Sequence, residues 1–290
     1  MVSRTKFGLA LGITLALAAN VGSAMAKGND KDKNEERHGH GAAACKQLAT
    51  ALATTPGGIH AALKAALSTA VTAETSGLDL NMWATLVNRD GVVCAVAFSG
   101  ANRNSQWPGS RAISAQKANT ANAFSLDTLA LSTANLYSAV QPGGSLFGLQ
   151  ESNPVATDVV YQGPAAQYGK KNDPMVGERA GGVNVFGGGL ALYDAEHRVI
   201  GGVGLSGDTS CADHNIAWRV RNNLKLDNLS GVAGVGPAAA QADGIVFDID
   251  AALSAGGFGH PTCIKSDNAN AVATNAASQA YTATLPPVDH

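Results

Sequence analysis

The sequence predicts an α+β domain in which helices pack against an antiparallel sheet. Two stretches are typical of β-hairpins, residues 81–100 (NMWATLVNRDGVVCAVAFSG) and residues 184–207 (NVFGGGLALYDAEHRVIGGVGLSG), because each joins two apolar runs through a short polar turn. Residues 42–76 and 110–126 carry small and apolar residues at helical spacing. Strands joined by a hairpin run antiparallel, so the sheet is expected to be antiparallel.

The first hairpin has the clearest local signal. Asn88-Arg89-Asp90-Gly91 separates its strands, and the Asp-Gly pair supplies the positive φ that a tight turn needs. The core candidates of this hairpin are Trp83, Leu86, Val93, Val96 and Phe98. The second hairpin has expected strands at 190–193 and 199–205, and its many glycines allow another backbone or a flat ligand to approach closely.

The helices are predicted from their spacing and their boundaries. Residues 42–76 form two helices, because Pro56-Gly57-Gly58 interrupts the pattern. Ser110 is the expected N-cap of the next helix, and a further helix is expected over 126–140.

The second half of the chain combines a long loop, one helix and an irregular C-terminal region. Residues 141–182 are rich in Gly, Pro, Asn and Gln, which predicts a long loop. Asp208 is expected to cap a helix that ends near Leu226. Residues 230–265 are expected to form an extension and residues 266–290 a flexible tail, because Ala, Gly, Asn and Ser dominate there.

The N-terminus has the layout of a secretory signal peptide. Arg4 and Lys6 lie before an apolar core that ends in Ala24-Met25-Ala26, a small-residue cleavage pattern. We expect residues 1–26 to be removed and the protein to be periplasmic or secreted, with no membrane association after cleavage. Residues 27–41 have the composition of a disordered charged linker.

The charge balance and the short motifs exclude several classes of function. The net charge is −2 at pH 7, so the basic footprint of a nucleic-acid-binding protein is missing. The GLSGD stretch at 204–208 is not the G-x-S-x-G elbow of hydrolases. The three glycines at 187–189 lack the spacing of a dinucleotide-binding fingerprint. We therefore expect no catalytic residues of these kinds.

All four cysteines lie in the part expected to be exported, where an even number favours disulfides. Of the three possible pairings we favour Cys211 with Cys263 and Cys45 with Cys94. The first would staple the Gly-rich C-terminal region onto the preceding helix. The second is less strongly indicated, because Cys94 lies in an apolar strand and a buried thiol would also suit that position.

The stretch DTSCADHNIAW, residues 208–218, places Cys211 and His214 on one face of a helix. A bare C-x-x-H does not suffice for covalent haem, which needs C-x-x-C-H, or for a closed zinc site, which needs four ligands. Cys211 is therefore better explained by a disulfide. A bridge to Cys263 would also bring His260 near His214, which makes a two-histidine metal site conceivable.

The order of elements resembles the GlcG/HbpS family of haem- and small-ligand-binding domains, which includes the C-terminal domain of PduO-type proteins. The stretches that carry the resemblance are NRDGVVCAVAFSG, SRAISAQKANTANAF, QPGGSLFGLQESNPV and GGVNVFGGGLALYDAEHRVIGGVGLSGDTSCADHNIA. The last is the most specific, because it joins a GGG hairpin ending in GxSG to an Asp-containing helix. The resemblance assigns residues 42–229 to one domain of this type.

The resemblance implies an antiparallel sheet of about five strands flanked by helices, and a homo-oligomer. For exported members it implies reversible, noncovalent haem binding with a sequestering or sensing role. It places the pocket on the helix through KANTANAF, where Lys117, Thr120 and Phe124 recur at helical spacing. Lys117 is then a candidate for the haem propionates or the iron side, and Thr120 is a polar ligand candidate.

Two alternatives stay open from the residues themselves. Thr120 could face the sheet and Lys117 the solvent, in which case neither binds a ligand. His214 is the conventional axial ligand if haem binds, because imidazole binds ferric iron far better than a hydroxyl group does.

The alternative function is an enzyme or an enzyme accessory for a small organic acid or aldehyde, held in the same pocket by Arg111 or Lys117.

Overall fold

The structure is a computed structural model, which describes residues 43–251, 253–264 and 274–289. The helices are α1 (Lys46–Ala51), α2 (Gly58–Ala73), α3 (Ser110–Phe124), α4 (Leu149–Ser152), α5 (Thr157–Val160), α6 (Ser210–Asn223) and α7 (Asn275–Thr282). The strands are β1 (Trp83–Asn88), β2 (Val93–Phe98), β3 (Leu129–Ala130), β4 (Gly189–Tyr193), β5 (Val199–Ser206), β6 (Ala233–Gly234), β7 (Ile249–Asp250) and β8 (Leu253–Ser254).

The central sheet is antiparallel and has the strand order β2-β1-β5-β4. The α+β prediction is confirmed, with four strands where about five were expected. The two hairpins lie side by side because β1 pairs with β5, Trp83 opposite Ser206. The remaining short strands form two separate pairs, in which β3 pairs with β6 from the C-terminal extension and β7 pairs with β8.

Helices cover both faces of this sheet. On one face α2 and α6 pack together on Leu86, Ile200 and Leu205, which share one core cluster with the apolar side of α2. On the opposite face α3 lies across β5, β1 and β4. Alternation along each strand sends successive side chains to opposite faces, so a fully buried strand supplies both cores.

Glycines in β5 let the backbone of α3 lie directly on the sheet. A Cβ at Gly202 would collide with the carbonyl of Ala118, and one at Gly204 would collide with that of Ser114. This is the close approach of a second backbone that the glycines of the second hairpin predicted. The contact fixes the position of α3, which carries the predicted pocket residues.

The turn of the first hairpin forms as predicted. Gly91 adopts a φ of 74°, which an L-residue rarely adopts. Asn88 accepts hydrogen bonds from the backbone N–H groups of Asp90 and Val92 at 3.0 and 2.8 Å, closing the turn. This side-chain closure is typical of an Asx turn.

The expectations for the helix boundaries need correction. The helix expected over 126–140 is wrong, because this segment contains β3 and two 3₁₀ turns at 134–136 and 138–140. Ser125 binds both backbone groups of Leu131, and the Asn135 amide accepts from the N–H and hydroxyl of Ser132. Such side-chain bonds compete with helical ones.

The caps of α3 and α6 also differ from the expectation. Ser110 is the first residue of α3 and Gly109 precedes it as the cap. The side chain that caps α6 belongs to Thr209, which accepts from Ala212 N–H. Asp208 instead accepts from the backbone N–H groups of Leu78 and Leu80, so it ties the start of α6 to the segment before β1.

Two disulfides join Cys45 to Cys94 and Cys211 to Cys263, the pairings that the sequence analysis favoured. The first links the start of α1 to β2 within the main core. The second links α6 to the segment 258–264 of the C-terminal extension. Among the described residues, no helix is long and apolar enough to cross a membrane.

The flexible tail expected over 266–290 is wrong for residues 274–289. Within this range α7 packs on the domain, Leu285 is buried, and the hydroxyl of Tyr281 donates to Glu74 at 2.7 Å. The indole of Trp218 donates to the carbonyl of Pro286 at 2.8 Å. The predicted signal peptide (1–26), the linker (27–41) and the remainder of the tail (266–273 and His290) lie outside the described residues.

Candidate functional site

A buried ion pair connects the two helical layers at the end of the central sheet. The ammonium group of Lys117 on α3 donates to Asp213 on α6 at 2.7 Å and to the carbonyl of Leu205 at 3.1 Å. Both side chains are almost fully enclosed. Lys117 therefore does not face solvent, and its charge is engaged by Asp213.

The glycine run at 187–189 makes room for this ion pair. A Cβ at Gly188, whose φ is 117°, would lie 3.1 Å from Lys117 Nζ and 2.9 Å from Asp213 Cβ. A side chain at Gly189 would collide with the carbonyl of Lys117. The run therefore gives Lys117 a path past the end of β4 to the opposite layer.

Asp213 combines two partners in a desolvated setting. Its second oxygen accepts from the backbone N–H of Asp208 at 2.9 Å. Burial raises the pKa of Asp213 to about 6, because the cost of desolvating the carboxylate exceeds the stabilisation from Lys117 and from that hydrogen bond. The ion pair with Lys117 makes Asp213 a link between the two helical layers.

His214 is fully enclosed one residue further along α6. Neither ring nitrogen has a hydrogen-bond partner among the described residues. Burial, followed by the nearby charges of His260, Arg221 and Lys117, lowers the pKa of His214 to about 3. The imidazole is therefore neutral near pH 7, which is the form that binds metals.

His260 lies beside the same glycine run. It is fully buried because the Cys211–Cys263 bridge holds this segment against α6. Its Nδ1 lies 2.7 Å from the carbonyl of Pro261, and its Nε2 lies 3.4 Å from the N–H of Gly187. Burial lowers the pKa of His260 to about 4.

Both histidines therefore lie against Gly187. A Cβ at Gly187 would lie 3.0 Å from His214 Cβ, while the Gly187 N–H points to His260. The structure brings Lys117, Asp213, His214 and His260 into one region, here called the histidine cluster. The role of His214 and His260 as a metal pair stays a prediction.

Thr120 and Phe124 lie further along α3 and face a different region. The Thr120 hydroxyl donates to the carbonyl of Gln116 at 2.8 Å and accepts from Asn184 N–H at 3.0 Å. Phe124 is half-buried in an apolar cluster with Leu136 and Val185. Thr120 therefore holds the segment that leads into the glycine run through Asn184, and Phe124 belongs to the same apolar cluster as Val185 of that segment.

Aromatic side chains continue from the histidine cluster to the surface. The ring of Tyr137 lies 5.2 Å from that of His260 and 6.1 Å from that of Phe186. Phe186 is 45% exposed, so this path ends at the surface. Sequence analysis missed Tyr137 and Phe186, since only the fold brings residues 137, 186 and 260 together.

Arg111, the other cation expected to bind a small acid, is also engaged. Its guanidinium group forms a buried ion pair with Asp173 and lies 3.7 Å from the ring of Tyr168. Both predicted cations thus have carboxylate partners inside the fold. A cavity of about 660 Å³ lies elsewhere, between α1 and the turn from β4 to β5, and none of the predicted site residues lines it.

The sequence model described as haem degrading protein HbpS-like matches residues 59–221, more than half of the chain. The chain belongs to the HbpS-like family. The matched range contains the whole central sheet, α3 and nearly all of α2 and α6, and it ends before the segment that carries His260 and Cys263. The resemblance found in the sequence is therefore confirmed at the level of the family.

Two solved structures are similar to this chain over somewhat more than half of its length. One is a Klebsiella pneumoniae protein, ORFY of the family DUF336, with 24% identity, a TM-score of 0.39, and 57% of this chain and 89% of that chain covered. The other is a complex of PduOC with haem, with 22% identity, a TM-score of 0.39, and 56% and 88% covered. A search of curated proteins found no match.

Proposed function

We propose that this protein is an exported haem-binding protein that holds haem noncovalently, for sequestration or sensing. The observation that carries the proposal is the neutral imidazole of His214, enclosed with both ring nitrogens unpaired. Membership in a family described as haem-degrading supports it. Binding is the step that a haem carrier and a haem-degrading protein have in common.

The chemistry of His214 fits an axial ligand. Haem iron is commonly held by the nitrogen of a neutral histidine. An unpaired buried polar atom costs folding free energy, and His214 has two such atoms, its ring nitrogens. Binding of a ligand explains this cost better than packing does. His260 is the second imidazole of the cluster, and its hydrogen bond to the Pro261 carbonyl orients its ring.

The apolar part of a haem site fits the surface beside the histidine cluster. A macrocycle needs a flat apolar surface, with a few polar groups to orient it. Phe186 is exposed there, and the half-buried Phe124 and Val183 belong to one apolar cluster with Val185, the neighbour of Phe186. The exposed ring of Phe186 would contact the macrocycle, while this cluster would support the segment that carries it.

The segment 183–188 would control access to His214. Haem can reach this imidazole only if the segment moves, because His214 is fully enclosed beside Gly187. Thr120 holds the segment through Asn184, and the Lys117–Asp213 pair lies against Gly188. In this proposal Thr120 and Lys117 position the segment, and His214 is the residue that contacts iron.

Export is part of the proposal for two reasons. The N-terminal sequence has the layout of a signal peptide, and the described cysteines all form disulfides. Disulfides persist in oxidising compartments and are rare in the bacterial cytosol. Haem binding outside the cytosol suits a protein that sequesters or senses haem.

A haemin titration followed at the Soret band tests the proposal. We expect saturable binding with a shifted Soret maximum, at least tenfold weaker or spectrally altered in His214→Leu. Thr120→Ala should speed binding without changing the spectrum of the saturated complex, because it removes the hydrogen bond that holds the segment at Asn184. His197→Ala is the matched control, since His197 is an exposed histidine in the turn from β4 to β5.

Two results would contradict the proposal. If haemin behaves with the protein as it does in buffer, the protein does not bind haem. If His214→Leu binds haem with the affinity and spectrum of the wild type, His214 is not the axial ligand and the supporting observation is lost.

A further inference from the structure

The Cys211–Cys263 disulfide lies next to His260 in an arrangement that suits a metal ion once the sulfurs are reduced. Among the described residues, these three side chains form the one group of potential metal ligands whose ligand atoms all lie within 4.8 Å of one another. In the disulfide the sulfurs carry no negative charge and cannot bind as thiolates. Metal binding at this position therefore requires reduction.

The surroundings of Cys263 favour its thiolate. Its sulfur lies 3.2 Å from the backbone N–H of Cys211 and 3.3 Å from the hydroxyl of Ser210, both in the first turn of α6. Both groups can donate hydrogen bonds to a thiolate at Cys263 once the bridge is reduced. Cys263 is also half-buried, whereas Cys211 is enclosed, so a reductant reaches Cys263 first.

His260 is already in a tautomer that can bind a metal. A carbonyl oxygen only accepts, so the contact between Nδ1 and the Pro261 carbonyl requires the proton on Nδ1. The lone pair is then on Nε2, which accepts the weak 3.4 Å contact from Gly187 N–H. A hydrogen bond from one ring nitrogen to a carbonyl is the usual support of a metal-bound histidine.

We propose that Cys211, Cys263 and His260 form a redox-dependent binding site for zinc or a similar thiolate-preferring metal ion, available only when the disulfide is reduced. Two thiolates and one imidazole select such ions over Mg²⁺ and Ca²⁺, which prefer oxygen ligands. Three protein ligands leave the fourth tetrahedral position to water. The site does not depend on haem binding.

A dithiol reductant can supply the two electrons for this reduction. A thiolate of the reductant attacks Cys263 Sγ and displaces Cys211 as a thiolate, which leaves a mixed disulfide. The second thiolate of the reductant then displaces Cys263 and becomes part of the reductant's own disulfide. The protein has then gained two electrons. Zn²⁺ binds both cysteines as thiolates, so metal binding releases two protons compared with the dithiol form of the protein.

Zinc titration of the reduced and the oxidised protein tests the site. The Cys45→Ser/Cys94→Ser variant removes the other two cysteines, and tris(2-carboxyethyl)phosphine reduces the remaining disulfide without adding a thiol that would bind zinc. We expect one Zn²⁺ per chain after reduction, at least 100-fold tighter than in the oxidised protein. Cys263→Ser and His260→Ala should each weaken this binding at least tenfold in the same background.

Co²⁺ in place of Zn²⁺ reports the ligands directly. The expected spectrum has thiolate-to-cobalt charge transfer for two sulfurs, and His197→Ala, which removes an exposed histidine, should leave it unchanged. The proposal is overturned if reduction adds no zinc binding, or if the binding survives Cys263→Ser. It is also overturned if the fully reduced wild type, with all four cysteines, binds cobalt through four thiolates, since that spectrum would come from an unfolded chain.

Discussion

Two of the enclosed polar side chains on helix α6, Arg221 and His214, differ in their hydrogen bonding. The guanidinium group of Arg221 donates to Asp243 at 2.8 Å and to the carbonyl of Ala191 at 3.2 Å, and it lies 4.8 Å from the ring of Trp218. His214, two turns earlier on the same helix, has no hydrogen-bond partner among the described residues.

The difference separates a structural role from a functional one. Arg221 links α6 to β4 and to the C-terminal extension, so its partners explain why it is buried. His214 gains nothing comparable from its surroundings, and burial lowers its pKa to about 3. If His214 served only to fill space in the core, an apolar residue would serve as well. Replacing an unpaired buried polar group by an apolar one costs little folding free energy.

The largest expected effect comes from removing the partner of Arg221. Asp243→Ala leaves an enclosed guanidinium group without a counter-ion, which should lower the free energy of unfolding by about 3–5 kcal/mol. Chemical denaturation at pH 7 measures this. Glu196→Ala is the control, because its ion pair with Arg198 is solvent-exposed and should contribute less than about 1 kcal/mol. Equal losses in the two variants would contradict the structural role of Asp243.

Acidification should destabilise the protein through the histidine cluster. The folded-state pKa values of His214 and His260, about 3 and 4, lie below the unfolded value of 6.5, so their contribution is present above pH 6.5 and is lost as the pH falls. Asp213 acts in the opposite sense between its unfolded value of 3.8 and its folded value of about 6.

Between pH 6 and 4 the unfolded state therefore binds two more protons at the histidines and one fewer at Asp213. The net difference of one proton corresponds to about 1.4 kcal/mol per pH unit. We expect the free energy of unfolding, measured by denaturation at pH 4, 5 and 6, to fall by about 2–3 kcal/mol. In His214→Leu the contributions of His260 and Asp213 oppose each other, so the free energy of unfolding should depend less on pH. An unchanged slope would show that His214 is not the source of the pH dependence.

The smallest expected effect on stability is that of His214→Leu at pH 7. Leucine fills a similar volume and leaves no unpaired nitrogen, so the free energy of unfolding should change by less than about 1 kcal/mol or should rise. The same variant is expected to lose haem affinity, which would separate function from stability at this position. A loss of 3 kcal/mol or more would mean that His214 has a structural partner, as Arg221 has.

Local patterns predicted the elements that position the site. Asp90-Gly91 marked the first hairpin, Pro56-Gly57-Gly58 marked the break between α1 and α2, and the glycines of β5 indicated the close approach of α3. These signals act within a few residues, so a single sequence is enough to detect them.

Long-range contacts decided what the sequence did not predict. The burial of His260 follows from the bridge to Cys211, and the order of residues 274–289 follows from contacts of Tyr281 with Glu74 and of Pro286 with Trp218. Composition suggested an irregular tail because these contacts have no local signature. The unpaired nitrogens of His214 are likewise a property of its surroundings, which no spacing in the sequence specifies.

The connectivity of the two disulfides affects how the chain can be oxidised. Each cysteine pairs with its neighbour in the sequence, at separations of 49 and 52 residues, and the two loops neither cross nor nest. A chain that emerges from its N-terminus into an oxidising compartment exposes Cys45 and Cys94 before Cys211 is available. For such a chain, oxidation in order of emergence gives the native pairs without any reshuffling of disulfides.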